Sequence, residues 1–199
     1  MDTSISKITW TLALLCVLAG GAWARCCFPS QYTANQGIFR STVRGGNLSI
    51  KLAMNVYYYD AINQMEAVLE NIIEDGQTTT MKVIKDYNVT KTKYVISEDG
   101  NCSRTLLDAF KAACIPDWAY KVVSSKVGNS TSGMPIELFN SSAGNTTSYL
   151  ITAPDGCYPV LDVSAVPSGP SPYMQVVQFH NITLGIQDPS VFNVPPSCN

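Results

Sequence analysis

The groups able to do chemistry in this 199-residue chain are seven cysteines, one histidine and fifteen carboxylates. Cys16 stands inside an apolar run from Ile8 to Leu18, which leaves Cys26, Cys27, Cys102, Cys114, Cys157 and Cys198. Thiols in such a set either hold a metal or oxidise. Zinc sites draw on CxxC pairs and histidines at fixed spacing, and here no CxxC occurs and His180 is the sole histidine. An even number of cysteines in an exported chain reads as disulfides. Six cysteines allow 15 pairings; adjacent cysteines rarely bond each other, and dropping the 3 pairings that contain Cys26 to Cys27 leaves 12.

Export is written at the N-terminus. Lys7 precedes the apolar run Ile8 to Leu18, and Gly20, Gly21 and the small-x-small triplet Ala22-Trp23-Ala24 follow it. The run is shorter than the about 20 apolar residues needed to cross a bilayer. The expected organisation is a signal peptide over 1–24, cleaved after Ala24, and one domain over 25–199. No other stretch approaches membrane-spanning length, so the product is expected to be secreted and extracellular. Asn-x-Ser/Thr sequons at Asn47, Asn88, Asn101, Asn129, Asn140, Asn145 and Asn181 agree with that route and predict a heavily glycosylated surface.

Charge and motifs narrow the function classes. The whole chain carries a formal charge of −2 with no basic cluster, so the phosphate-neutralising footprint of a nucleic-acid binder is missing. No G-x-S-x-G elbow, P-loop or G-x-G-x-x-G is present. His180, in VVQFHNITLG, reads as a buried structural histidine on a strand, pointing with Val176 and Ile182 and away from a glycan on Asn181. An enzyme is not expected.

The elements that must carry these residues are mostly strands. Leu48, Ile50, Leu52, Met54 and Val56 alternate with polar or small residues, the period-2 mark of a half-buried strand. Further strands are expected over 79–87, 93–97, 119–127, 135–139, 148–152, 160–166 and 173–184, separated by turn-forming clusters such as Glu98-Asp99-Gly100-Asn101 and Asp155-Gly156. Leu106, Leu107, Phe110 and Ala113 fall at helical spacing after Ser103, which predicts a short helix over Ser103 to Ala113. Residues 60–74 fit either a helix or a turn at Asp60-Ala-Ile-Asn63 followed by a strand from Met65 to Ile73.

Several stretches taken together resemble one family. They are CCFPSQY at 26–32, YDAINQ at 59–64, YVIS at 94–97 followed by Asn101-Cys102, Ile115-Pro116, DGCYPV at 155–160, and the closing GIQDPSVFNVPPSC. Over nearly all its mature length the chain resembles the ependymin-related proteins. The resemblance implies a mainly β (α+β) fold of curved antiparallel sheets like the bacterial lipoprotein carriers, with one to three short helices and a central apolar pocket. It makes YDAINQ a hairpin corner, and so favours the strand from Met65. It also implies a bridge from Cys26 or Cys27 to Cys157 and one from Cys102 to Cys198, leaving Cys114 to the other N-terminal cysteine. The Pro-rich C-terminus would then be an extended segment stapled back onto the sheet.

What the resemblance implies for function is a secreted, dimeric glycoprotein of the extracellular matrix or the lysosomal lumen that binds a hydrophobic ligand or lipid, with calcium as a further partner. Pocket candidates are Leu52, Met54, Val56, Val83, Val122, Leu138, Ile151 and Val176, each of which would serve equally to fill a core. Tyr57 to Tyr59, Trp118 and Tyr120 are candidates for a homodimer surface. The alternative is a matrix or cell-adhesion glycoprotein without a small-molecule ligand. No EF-hand loop occurs; Glu74-Asp75, Glu98-Asp99, Asp155, Asp162 and Asp188 fall mainly in turns, Asp188 as a side-chain acceptor before Pro189, and no metal ligand is assigned among them.

Overall fold

The computed structural model of the protein describes residues 26–198, so the expected signal peptide lies outside the described residues. Eleven strands run β1 (Gln31–Arg44), β2 (Asn47–Asp60), β3 (Met65–Glu74), β4 (Gln77–Asp86), β5 (Thr92–Ser97), β6 (Cys102–Leu106), β7 (Tyr120–Val127), β8 (Met134–Ala143), β9 (Thr146–Ala153), β10 (Tyr158–Val166) and β11 (Tyr173–Leu184). They form one curved, open, antiparallel sheet in the order β6-β5-β4-β3-β2-β1-β11-β10-β9-β8-β7. The expected mainly β fold is present. Its helical content among the described residues is two 3-10 turns, Pro189–Phe192 and Pro196–Cys198.

The central strand, β1, carries little mark in the sequence. QYTANQGIFRSTVR is mostly polar and contains Gly37, yet it is paired along its full length with β2, from Gln31 opposite Asp60 to Arg44 opposite Asn47, and with β11 on its other side. Two neighbours satisfy its backbone groups, and that outweighs weak intrinsic preference. Residues 60–74 resolve as a turn and a strand. Asp60 caps the turn by accepting the backbone N–H of Asn63 at 2.9 Å and its side-chain amide at 2.7 Å, and β3 then pairs with β2 from Met65 opposite Asp60.

The helix expected over Ser103 to Ala113 does not form. Residues 102–106 instead make edge strand β6 against β5, and residues 107–113 follow without helix. The apolar spacing that suggested a helix has another use. Leu106 is exposed, whereas Phe110 and Ala113 are individual anchors for a chain that crosses the sheet. The disulfide Cys102–Cys198 ties the start of this segment to the C-terminus, a long-range tie that local periodicity does not report.

Because β6 and β7 lie at opposite edges of the sheet, residues 107–119 must pass over one of its faces. They pass over the face that carries Tyr59. The Phe110 ring lies 6.3 Å from that of Tyr59 and 5.4 Å from that of Tyr87. The disulfide Cys27–Cys114 and the backbone bonds Phe28 N–H to Ala113 O (2.8 Å) and Ile115 N–H to Cys26 O (2.9 Å) hold the crossing. Cys26 bonds Cys157. Tyr32, Ala34 and Tyr59 form a buried core here, with Tyr57 packed against it. Tyr57 and Tyr59 are therefore core residues rather than a dimer surface; Trp118 and Tyr120 remain exposed.

The opposite face carries Leu52 and receives the C-terminal segment. Asp188 starts its first 3-10 turn by accepting the N–H of Ser190 at 3.0 Å, Phe192 is buried, and Val194 and Cys198 pack on Ile84 and Tyr94. The bridge of an N-terminal cysteine to Cys157 and the Cys102–Cys198 bridge are those the family resemblance implied; Cys26 is the one that takes Cys157, and Cys27 takes Cys114, the pairing left over.

Candidate functional site: an apolar groove across the sheet

Residues directly opposite one another on neighbouring strands share a face. One such row runs Thr78, Ile73, Leu52, Phe39, Val176, Val163, Tyr149 across β4, β3, β2, β1, β11, β10 and β9. The next runs Asn71, Met54, Gly37, Gln178, Leu161, Ile151, Leu138, Val123. Between these rows a groove of about 460 Å³ is lined by Phe39, Leu52, Met54, Ile73 and Val176. Gly37 deepens it: a Cβ there would meet only the Met54 sulfur, at 4.0 Å.

The alternation in β2 is thus inverted relative to an ordinary half-buried strand. Its apolar residues lie on the open side, where Met54 is 60% exposed, while Ala53 and Asn55 between them are buried. The exposed apolar surface continues beyond the groove through Val43, Leu48, Ile50 and Met174. An apolar patch of this extent marks a surface that something covers.

The eight pocket candidates separate on this geometry. Leu52, Met54 and Val176 line the groove. Val56 shares its face, opposite Asn35 and Leu69, and Ile151 and Leu138 lie further along the second row. Val83 does not belong to this set: it pairs with Val68 and Val95 and is buried on the Tyr59 face, because its register places it one residue out of step with Ile84. Val122 is also excluded. A register shift between Lys121 and Val123 makes it the extra residue of a bulge, and Val123 takes the position opposite Leu138. Phe39, Gly37 and Ile73 line the groove without having been singled out in the sequence, since β1 is polar on average and residues 60–74 fit two periods.

The Tyr59 face carries polar chemistry. A hollow of about 400 Å³ is lined by Arg40, Lys51, Lys85, Lys93, Glu70 and Asn55, among others. Under residues 115–119, a smaller cavity of about 190 Å³ includes Asp162. Asp162 lies within β10 rather than in a turn; its Oδ1 is buried without a hydrogen-bond partner, and burial pushes its carboxyl pKa up.

His180 follows Val176 onto the Leu52 face and is half-buried rather than buried. Ile182 does not accompany it. Asn181 has φ of +52°, and the pairing of β1 with β11 shifts there, so Ile182 packs with Phe179 against Tyr32 on the other face. Among the sequons, Asn47, Asn88, Asn101, Asn129, Asn145 and Asn181 are exposed. Asn140 is the exception: it is 7% exposed with its amide directed at Ser148 O, which leaves no room for a glycan in this fold.

Calcium requires six to eight converging oxygens. Among the described residues, no group of three or more His, Cys, Asp or Glu side chains is placed to hold a metal. The carboxylates of Asp60 and Asp86 are engaged by their own turns. No calcium ligand is assigned among the described residues. Among the described residues, no helix is long and apolar enough to cross a membrane.

Comparison with solved structures yields loose superpositions. A DUF1329 family protein from Desulfovibrio piger ATCC 29098 is 9% identical, with 94% of this chain and 96% of that chain covered, at a TM-score of 0.37. MucB in complex with MucA(peri) is 10% identical at a TM-score of 0.17, and the MucA/MucB complex of Pseudomonas aeruginosa 9% at 0.17, each covering 77% of this chain and 94% of the other. No curated protein sequence matches the chain. The ependymin family profile does match, over residues 75–198. That span runs from the hairpin after β3 through all of β4 to β11 and ends on Cys198, which anchors the C-terminal segment beside the groove, and the chain belongs to the ependymin family.

Proposed function

We propose that the protein is a secreted, disulfide-bonded glycoprotein that binds a lipid or similar hydrophobic ligand in the groove on the Leu52 face, without catalytic activity. The observation that carries this reading is the placement of Phe39, Leu52, Met54, Ile73 and Val176 around an open apolar groove of about 460 Å³, a size within the about 300–1,000 Å³ range of small-molecule sites. An acyl chain laid along it would gain about 0.8 kcal/mol for each CH2 removed from water. Three disulfides agree with an extracellular or lysosomal lumen.

A second reading rests on the exposed residues outside the groove, Val43, Leu48, Ile50 and Met174. They would be covered if two copies met on this face, giving a homodimer with a matrix or adhesion role and no small ligand. Native mass spectrometry of secreted protein separates the two. Lipid adducts on the wild-type chain that vanish in Met54→Glu support the groove; an adduct-free dimer that Met54→Glu converts to monomer favours the second reading. A monomer with no adduct rejects both.

A further inference from the structure

We propose that the polar hollow on the Tyr59 face is a second binding site, which takes an oxyanion carried on a small hydroxylated ligand such as a sugar phosphate or sugar acid. The site lies on the reverse of the sheet from the groove and does not depend on it. Lys51 and Asn55 alternate along β2 with Leu52 and Met54, so each residue serves one face only.

Charge is the first observation. Strands β1, β2, β4 and β5 deliver Arg40, Lys51, Lys85 and Lys93 to one hollow of about 400 Å³. Two of these cations are matched: Lys85 lies 2.8 Å from Glu66, and Lys51 lies 3.9 Å from Glu70. Among the described residues, no carboxylate lies within 4 Å of the Arg40 guanidinium, which instead sits 4.3 Å from the Tyr173 ring centroid, or of the Lys93 ammonium. The hollow keeps a surplus of positive charge on a chain whose formal charge is −2.

Register is the second. Arg40 stands directly opposite Lys51, and Lys85 directly opposite Lys93. Like charges in facing positions destabilise a sheet, and here two such pairs point at the same cavity. An anion between them converts both repulsions into attractions, with the charge-assisted hydrogen bonds that lysine and arginine form to phosphate and carboxylate.

The third is Asn55, which is 4% exposed and lines the hollow with an Oδ1 that has no hydrogen-bond partner. A buried acceptor left unmet is costly. It calls for a donor, and a hydroxyl held beside the anionic group, as on a sugar phosphate or sugar acid, can reach it while the anion stays between the cations. Together, cations and acceptor specify a ligand with an anionic group at one end and hydroxyls at the other.

Isothermal titration of the intact secreted protein with glucose 6-phosphate, inorganic phosphate and glucose tests this. Glucose 6-phosphate is expected to bind more tightly than phosphate, glucose to give no heat, and added salt to weaken both anions. Lys93→Gln should reduce affinity for glucose 6-phosphate by about tenfold, the effect of losing one charge-assisted contact. Met54→Glu, on the other face, should leave it unchanged. Asn55→Leu should bring glucose 6-phosphate down to the affinity of phosphate; if that variant does not fold, Lys93→Gln decides. No heat with either anion, equal binding of glucose, or wild-type affinity in Lys93→Gln overturns the proposal.

Discussion

The phenol oxygen of Tyr59 accepts the backbone N–H of Ala113 at 2.9 Å, across 54 residues of sequence. Residues 107–113 cross the sheet without helix or strand to satisfy their backbone, so this bond substitutes for a ladder bond at the point where Cys114 turns in to meet Cys27. Tyr59→Phe keeps the ring against Phe110 and removes only the acceptor. It should cost about 1 kcal/mol in urea denaturation, the lower end of the penalty for an unpaired donor because Ala113 is only half-buried, with faster amide exchange at Ala113. Unchanged stability and exchange would show that the crossing is held by the disulfide alone.

The bridge Cys102–Cys198 closes a loop of 96 residues. On the chain-entropy account such a loop is worth about 4–5 kcal/mol, so Cys102→Ser with Cys198→Ser should lower the Tm by roughly 10–20 °C. Limited proteolysis should then cut within residues 186–197, which the wild type resists. A wild-type digestion pattern in the double variant would mean that Phe192 and Val194 hold the segment by packing.

Two carboxylates should give opposite pH responses. Burial raises the Asp86 pKa, but its hydrogen bonds from the N–H groups of Val89, Thr90 and Asn88 and from the Thr90 hydroxyl outweigh this and leave it lowered. Its contribution is present above the unfolded pKa of about 3.9 and is lost as pH falls through the lower folded value. Asp162 is raised by burial, so its contribution is present at low pH and lost as pH rises through the folded value. Urea denaturation from pH 3 to 7 should find that Asp86→Asn flattens the acid limb and lowers stability at pH 7, whereas Asp162→Asn raises stability at pH 7 relative to pH 4.

Glycan mapping of secreted material should find sugar on exposed sequons such as Asn47, Asn88 and Asn129, and none on Asn140, whose side chain is buried. Asn47→Gln should increase gel mobility by one glycan; Asn140→Gln should not change it. A glycopeptide carrying Asn140 would require β8 to sit differently from its place between β7 and β9.

Much of the sheet was legible because strands and turns are local events. The expected strands over 173–184 and 160–166 coincide with or fall within those observed, since alternation acts over a few residues, whereas residues 60–74 fitted two periods and only the structure makes 61–64 a turn leading into β3. Strand β1 was not legible, because QYTANQGIFRSTVR acquires its partners from β2 and β11, and β11 lies more than 130 residues away. Residues 103–113 misled for a related reason: Leu106, Leu107, Phe110 and Ala113 repeat like a helix, yet the segment is committed at one end to Cys198 and at the other to Tyr59 and Cys27.

By itself the sequence determined which residues alternate along strands such as β2 and β11, where most of the turns fall and which thiols and asparagines are available for modification, because these follow from covalent chemistry and near-neighbour geometry. The tertiary structure alone decided which side of the sheet each alternating set would occupy. Leu52 and Met54 look outward over a groove while Lys51 and Asn55 are turned to the reverse, because the segment from 107 to 119 covers one face and the segment ending at Cys198 covers part of the other. A period of two specifies that a strand has two faces; only the chain packed against it chooses between them.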